Sequence, residues 1–114
     1  SDRYLKRAGL DYWHFVNLRY YSSVEEFQAF CQNQQGRRIG FSTRGRYSYI
    51  QFPFQADDWL LFGSETEGLS QEVLSWCTET VYIPMSQPGV RSLNLSVSVA
   101  VGLFEARRQL GLMS

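Results

Sequence analysis

Three short polar segments of this 114-residue chain have residue types suited to binding a small molecule. They are residues 42–45, residues 63–68 and the stretch from Pro84 to Asn94. The middle segment has a glycine at each end, but Leu69-Ser70 follows it where a P-loop needs Lys-Ser/Thr, so ATP or GTP binding is not expected. Glu65 and Glu67 also disfavour a phosphate, because an acid beside backbone amides suits a neutral or cationic ligand better. The alternative is a glycine turn with a purely structural role.

The third segment ends in a polar cluster, Arg91-Ser92-Leu93-Asn94, at the predicted start of the last helix. Ser92 or Asn94 could act there on a ligand, or could simply cap the helix. The chain has one histidine, His14, which argues against a histidine-based zinc site and against a Ser-His-Asp triad. Cys31 and Cys77 lack metal-ligand spacing, so no metal is predicted, and we expect two free thiols in a reducing compartment such as the cytoplasm.

The three segments follow predicted strands, which would bring them to one edge of a sheet. The predicted strands are 14–20, 38–41, 59–62 and 81–83, with an edge strand or loop at 47–54. The predicted helices are a basic one at 2–8, one opened by the capping boxes of Ser22 and Ser23 and stopped by Gly36, one from Ser70 to Trp76, and one from Leu93 to Leu110. This alternation predicts an α/β fold with a mainly parallel sheet. Ligands of such sheets bind at the carboxyl ends of the strands.

The last helix is apolar on both sides. Its two apolar faces are Leu93, Val97, Ala100, Val101 and Phe104, and Leu95, Val99, Leu103 and Ala106. A sheet covers one face of a helix in a single small domain, so we expect a second subunit to cover the other. This predicts a homodimer through the helix, and the alternative is a helix buried within a longer chain.

Length and charge limit the class of protein further. The chain is predicted to be one domain over residues 1–114, and no run approaches the roughly 20 apolar residues of a membrane span. The net charge is zero, but residues 1–46 carry +4 and residues 47–114 carry −4. The basic half favours a surface that binds a polyanion, with an ordinary solvated surface as the alternative.

Three sequence motifs together resemble those of the SPOUT methyltransferases, and most closely the tRNA (cytidine(34)-2'-O)-methyltransferase family. They are Phe62-Gly63-Ser64-Glu65-Thr66-Glu67-Gly68-Leu69, then Ile83-Pro84-Met85, then the run from Arg91 to Ala100. Arg7-Ala8-Gly9-Leu10-Asp11-Tyr12 and the run from Glu105 to Gly111 are similar to the family's flanking sequences. The order and spacing of the motifs agree over nearly the whole chain.

The resemblance implies an α/β fold with a C-terminal trefoil knot, a homodimer, S-adenosylmethionine as methyl donor, and methylation of a ribose 2'-hydroxyl at the wobble nucleotide of tRNA. The residues that it assigns to the cofactor are Phe41, Ser42, Gly63, Glu65, Ile83, Met85, Ser92 and Leu93. Ser92 and Asn94 are the candidates for positioning the reacting groups during catalysis. The candidates for contact with RNA phosphates are Arg3, Arg7, Arg44 and Arg91.

Three departures from the family pattern leave two other functions open. The chain starts at Ser1 without Met, and we expect that the family's first strand-helix unit precedes it in a longer protein. Phe104 replaces a tyrosine usual in the family, and Val97 replaces an asparagine. The alternatives are a non-catalytic RNA-binding homologue and a methyltransferase that acts on rRNA.

Overall fold

The computed structural model of this chain describes residue 21 and residues 23–63, 68–84 and 95–111. It divides into two compact units, residues 1–35 and residues 36–114. The helix predicted at 2–8, the strand predicted at 14–20 and the first two residues of the last predicted helix lie outside the described residues.

The first unit contains helix α1, Val24–Gln32. Its N-terminus confirms one of the predicted caps, because the Ser23 hydroxyl accepts from the Glu26 N–H at 3.2 Å. The ring of Tyr21, just before the cap, lies 5.4 Å from the ring of Phe30. The predicted end at Gly36 is wrong. The helix ends four residues earlier, and Asn33 is its C-cap.

The second unit is built on a four-stranded parallel sheet, which confirms the predicted α/β class. The strands are β1 (Arg38–Phe41), β2 (Tyr47–Ser48), β3 (Trp59–Leu61) and β4 (Glu79–Tyr82). They lie in the order β2-β4-β1-β3, and all three pairs are parallel. The 47–54 segment forms only a two-residue strand at the sheet edge, as the weak alternation allowed.

Two helices accompany the sheet. Helix α2, Gln71–Trp76, begins as predicted at Ser70, whose hydroxyl accepts from the Val73 N–H at 3.2 Å. Helix α3, Leu95–Gln109, is the longest described element. No helix of the described ranges is long and apolar enough to cross a membrane.

The core lies where the two central strands meet α3. Ile39 of β1 and Val81 of β4 are fully buried, and Phe52, Phe54 and Ala106 join them. Burying side chains of this size typically contributes about 1.5–3 kcal/mol each, so this cluster is a main source of stability.

An aromatic stack joins the end of β1 to α3. The ring of Phe41 stacks on that of Phe62 at 4.5 Å and on that of Phe54 at 6.3 Å. A Cβ on Gly102 would lie 2.8 Å from the Phe41 ring and 3.2 Å from that of Phe62. Gly102 therefore lets α3 pack directly on the stack.

Polar contacts hold the segment between β2 and β3 in place. The guanidinium of Arg37 donates to both carboxylate oxygens of Asp58 at 2.8 Å and to the Pro53 carbonyl at 3.0 Å. This pairing raises the pKa of Arg37 above its ordinary value. The side-chain amide oxygen of Gln109 accepts from the Phe54 N–H at 2.9 Å, which ties the segment to α3.

The Glu105–Arg108 pair in the last turns of α3 should make the stability of the fold depend on pH. The pKa of Glu105 is lowered from its ordinary 4.5, chiefly because Arg108 donates hydrogen bonds to it. A lowered pKa means that this stability is present above the unfolded value and is lost as the pH falls through the folded one. We expect the free energy of unfolding, measured in urea, to fall less between neutral and acid pH for Glu105→Gln than for the parent. Identical pH profiles for the two proteins would contradict this.

A buried hydroxyl in β2 predicts a stabilising substitution. Among the described side chains, the buried Ser48 hydroxyl has no hydrogen-bond partner. Leaving such a group unsatisfied costs about 1–3 kcal/mol, so we expect Ser48→Ala to raise the free energy of unfolding by about 1 kcal/mol. Urea unfolding measures the change. Ser70→Ala is the control of opposite sign, because it removes a helix cap worth about 1 kcal/mol. A loss of stability in Ser48→Ala would contradict the prediction.

Candidate functional site

The candidate site lies at the carboxyl edge of the sheet, where three loops begin side by side. Phe41 of β1 aligns with Val81 of β4, and the Ser42 N–H donates to the Val81 carbonyl at 3.0 Å. On the other side of β1, Gly40 aligns with Leu61 of β3. The parallel register therefore brings the segments after β1, β3 and β4 to one edge, as predicted.

Four of the predicted cofactor residues can be placed at this edge. They are Phe41, Ser42, Gly63 and Ile83. Glu65, Met85, Ser92, Leu93, Asn94, Arg91, Arg3 and Arg7 lie outside the described residues. The predicted residues placed at this edge consequently supply backbone groups, the Ser42 hydroxyl and the apolar side chain of Ile83.

The first loop folds back over β4. The Ser42 carbonyl accepts from the Gly45 N–H at 3.0 Å, and the Ser42 hydroxyl accepts from the Arg44 N–H at 3.2 Å. A Cβ on Gly45 would lie 2.2 Å from the Val81 carbonyl carbon, so only glycine fits. This tight turn leaves the side chains of Arg44 and Arg46 exposed.

The second loop is closed by direct contact between its two glycines. A Cβ on Gly63 would lie 2.0 Å from the carbonyl carbon of Gly68 and 2.3 Å from the backbone nitrogen of Leu69. Gly68 itself has a φ of +68°, a conformation that favours glycine. Gly63 is therefore required by the close backbone contact, whereas Gly68 is favoured by its backbone conformation, and the sheet edge beside them is lined by backbone.

Phe41 can serve a ligand only through its backbone. Its side chain is 8% exposed and packs in the core against Phe62 and Phe54. Ile83, after β4, is half-buried against the same core. The aromatic stack thus supports the site from beneath and keeps the ends of β1 and β3 in register.

Arg46 and Tyr47 were not among the predicted site residues, although they lie beside the first loop. The Arg46 guanidinium lies 5.1 Å from the Tyr47 ring centre, and Tyr47 is 38% exposed. A basic residue next to an aromatic one was the available signal. It became informative only once β2 was placed next to β4.

An apolar groove of about 450 Å³ lies between α3 and Tyr49. Its lining residues are Tyr49, Ala100, Val101, Phe104, Glu105 and Arg108. None of them was predicted to bind the cofactor. The groove follows the α3 face that carries Phe104, which is 38% exposed, and this face also holds Val97, which is 44% exposed.

Known proteins have sequences similar to this one over nearly its full length. The sequence model of the SpoU rRNA Methylase family matches residues 1–104. A Synechocystis sp. protein, provisionally named tRNA (cytidine(34)-2'-O)-methyltransferase, is 50% identical over 110 residues, which are 96% of this chain and 72% of the relative. The tRNA (cytidine(34)-2'-O)-methyltransferase of Burkholderia ambifaria is 42% identical over 113 residues, with 97% and 72% covered.

Solved structures agree with the sequence comparison. A protein described in a study of 2'-OH methylation of C/U34 on tRNA superimposes with a TM-score of 0.74 at 48% identity, covering 92% of this chain and 67% of that one. The SpoU methyltransferase AviRb of Streptomyces viridochromogenes, solved with its cofactor AdoMet, superimposes with a TM-score of 0.68 at 30% identity, covering 77% and 36%. With the family's sequence pattern over residues 1–104 and its parallel sheet, this chain belongs to the SpoU rRNA methylase family.

Proposed function

We propose that this protein transfers a methyl group from S-adenosylmethionine to a ribose 2'-hydroxyl of tRNA, at the wobble nucleotide of the anticodon. The observation that carries the proposal is the sheet edge where the end of β1 lies between the Gly63–Gly68 closure, which follows β3, and the end of β4. Relatives matched over most of this chain are named for this reaction. In the AdoMet complex of AviRb, a related fold holds the same cofactor.

The described edge fits S-adenosylmethionine. Adenine is neutral and flat, and it suits a slot with apolar walls and backbone donors and acceptors, such as Ile83 and the contact at Gly63 provide. The bound cofactor supplies a methyl group carried on positively charged sulfur. A nearby carboxylate such as Glu65 is compatible with that charge. Ser42, Met85, Ser92 and Leu93 would complete the pocket.

On the substrate side, we assign positioning of the ribose to Ser92 and Asn94 at the start of the last helix. Transfer needs the 2'-oxygen in line with the methyl group, so positioning contributes much of the rate enhancement. The hydroxyl proton must pass to a base. Arg3, Arg7, Arg44 and Arg91 would contact RNA phosphates, and among them Arg44 is described and exposed beside Ser42.

We further propose a C-terminal trefoil knot, as the resemblance implies, and a homodimer through α3. The exposed Val97 and Phe104 beside the apolar groove support the dimer, because large apolar side chains on a helix need cover. Light scattering should show a dimer, and Phe104→Glu should shift it to a monomer. A monomeric parent, or an undisturbed dimer in the variant, would refute this interface.

The reaction is tested in two steps with the full-length protein. Calorimetry should first show binding of S-adenosylhomocysteine, and its absence would remove the cofactor assignment. The protein should then incorporate labelled methyl into tRNA, at the 2'-oxygen of the wobble nucleotide. Salt-sensitive tRNA binding without incorporation would identify a non-catalytic RNA-binding protein, and a methylated nucleotide in rRNA would identify the third alternative.

A further inference from the structure

Arg46 and Tyr47 form an exposed cation–aromatic pair on the outer strand of the sheet. The guanidinium lies 5.1 Å from the ring centre, and both residues are exposed, the tyrosine by 38%. An exposed aromatic ring beside an arginine has the chemistry of a surface that binds a flat, polyanionic ligand.

The pair is held rigidly from below. The Arg46 N–H donates to the Thr80 carbonyl and hydroxyl, both at 3.1 Å, and the Tyr49 N–H donates to the Tyr82 carbonyl at 2.9 Å. The ring of Tyr47 also lies 5.9 Å from that of Phe52, which is 4% exposed. The chain is hydrogen-bonded to β4 both before and after Tyr47, and the buried Phe52 ring supports the tyrosine side chain. Tyr47 therefore loses little conformational entropy when a ligand binds.

The pair lies close to the candidate cofactor edge. Phe41 and Tyr47 both align with Val81, one from each side of β4. Two strand spacings separate them, which is roughly 10 Å between their Cα atoms. A nucleotide next to the one whose ribose is presented to a cofactor at Ser42 could therefore reach the Arg46–Tyr47 pair.

The local charge fits RNA. Residues 42–54 contain two arginines, Arg44 and Arg46, and no acidic residue, in the half of the chain that carries +4. Single-stranded RNA is recognised by stacking of unpaired bases on aromatic rings and guanidinium planes, while basic side chains contact the phosphates. An anticodon loop presents such unpaired bases.

We propose that Arg46 and Tyr47 form a stacking platform for an unpaired base of the RNA substrate adjacent to the methylated nucleotide. This proposal rests on the proposed function and extends it, because it assigns a binding position to the nucleotide next to the methylated one. The Arg46 guanidinium, which lies over the Tyr47 ring, supplies the plane on which the base stacks and contacts the phosphate, and the Tyr47 ring supports that guanidinium from behind. Tyr47 and Arg46 are positioning residues that affect the RNA and not the methyl donor.

The test measures binding of the full-length protein to an anticodon stem-loop over a range of salt concentrations. Tyr47→Ala should weaken binding roughly ten-fold without changing the salt dependence, because stacking involves no counterion release. Arg46→Ala should weaken binding and reduce the slope of log K against log salt by about 1. Tyr47→Phe keeps the ring and should retain parental affinity. Ile50→Ala, 53% exposed in the next turn, is the matched control and should have no effect.

A modified substrate separates stacking from a general loss of structure. Removing the base on one side of the wobble nucleotide should weaken binding to the parent about as much as Tyr47→Ala does, and should have no further effect in that variant. Additive losses, or parental affinity in both Tyr47→Ala and Arg46→Ala, would overturn the platform. S-adenosylhomocysteine binding should be equal in all variants. A parent that binds the stem-loop without methylating it refutes the reaction alone, and one that binds no RNA refutes both.

Discussion

Replacing Gly63 by alanine is expected to weaken S-adenosylhomocysteine binding by about 100-fold or more. The added Cβ would lie 2.0 Å from the Gly68 carbonyl carbon, well inside ordinary contact. Both partners are backbone, so no side-chain rotation can relieve the overlap. The two ends of the loop must move apart by more than an ångström. A displacement of about 1 Å in a positioned site can cost about 100-fold in rate, and we expect a loss of the same order in affinity because the displaced backbone groups are those that hold the cofactor. Calorimetry measures the affinity.

Gly68→Ala is the matched control for Gly63→Ala, because it changes the other glycine of the same closure. A Cβ at Gly68 meets nothing within 4 Å, so the cost is that of a left-handed backbone, about 1–2 kcal/mol in stability. Its effect on ligand affinity should therefore be much smaller. Equal losses in the two variants, or parental affinity in Gly63→Ala, would contradict the requirement for a direct glycine contact.

Local signals predicted the elements that depend on nearest neighbours. Ser23 and Ser70 cap their helices because the hydrogen bond that a cap hydroxyl accepts from the N–H three residues further on is a local interaction. The short apolar runs at β1, β3 and β4 were predicted as strands, and their alternation with helices led to the parallel sheet. The sheet then placed the predicted residues Phe41, Ser42, Gly63 and Ile83 at one edge.

The errors occurred where distant contacts decide the structure. Gly36 was predicted to stop the first helix, but its backbone is fixed by the second unit, where a Cβ would lie 2.1 Å from the Asp57 carbonyl oxygen. The prediction of an edge strand or loop at 47–54 was confirmed, but it did not show that Phe52 and Phe54 enter the core. The hydrophobic periodicity of one segment does not show which distant ring or helix that segment packs against.

The same limit applies to the site. A glycine at each end of residues 63–68 was visible in the sequence, but the backbone contact that requires Gly63 was not. Arg46 and Tyr47 were missed because their significance depends on Tyr47 and Phe41 sharing the level of Val81 in the sheet. A family resemblance identifies only the residues that the family shares. The Arg46–Tyr47 pair was identified instead from strand register and exposure in this structure.

Phe41→Ala is expected to destabilise the fold by roughly 3–5 kcal/mol, as large-to-small substitutions of buried aromatic residues do. The ring is 8% exposed and stacks on Phe62 and Phe54, so its removal leaves a cavity beneath the candidate site. Domains of this size have about 5–15 kcal/mol in total, so the loss should be plain in urea unfolding. Ile50→Ala, at 53% exposure, is the control and should change stability by no more than about 0.5 kcal/mol.

A double-mutant cycle with Gly102 tests whether the cavity left by Phe41→Ala lies against α3. In the parent, Gly102→Ala should destabilise, because the new Cβ would lie 2.8 Å from the Phe41 ring. In the Phe41→Ala background that ring is gone, and the Phe62 ring, 3.2 Å from the new Cβ, can shift into the space left behind. There Gly102→Ala should stabilise, aided by the roughly 1 kcal/mol by which alanine exceeds glycine in a helix. A change of sign between the two backgrounds is the expected double-mutant result, and equal effects of Gly102→Ala in both would show that α3 does not rest on Phe41.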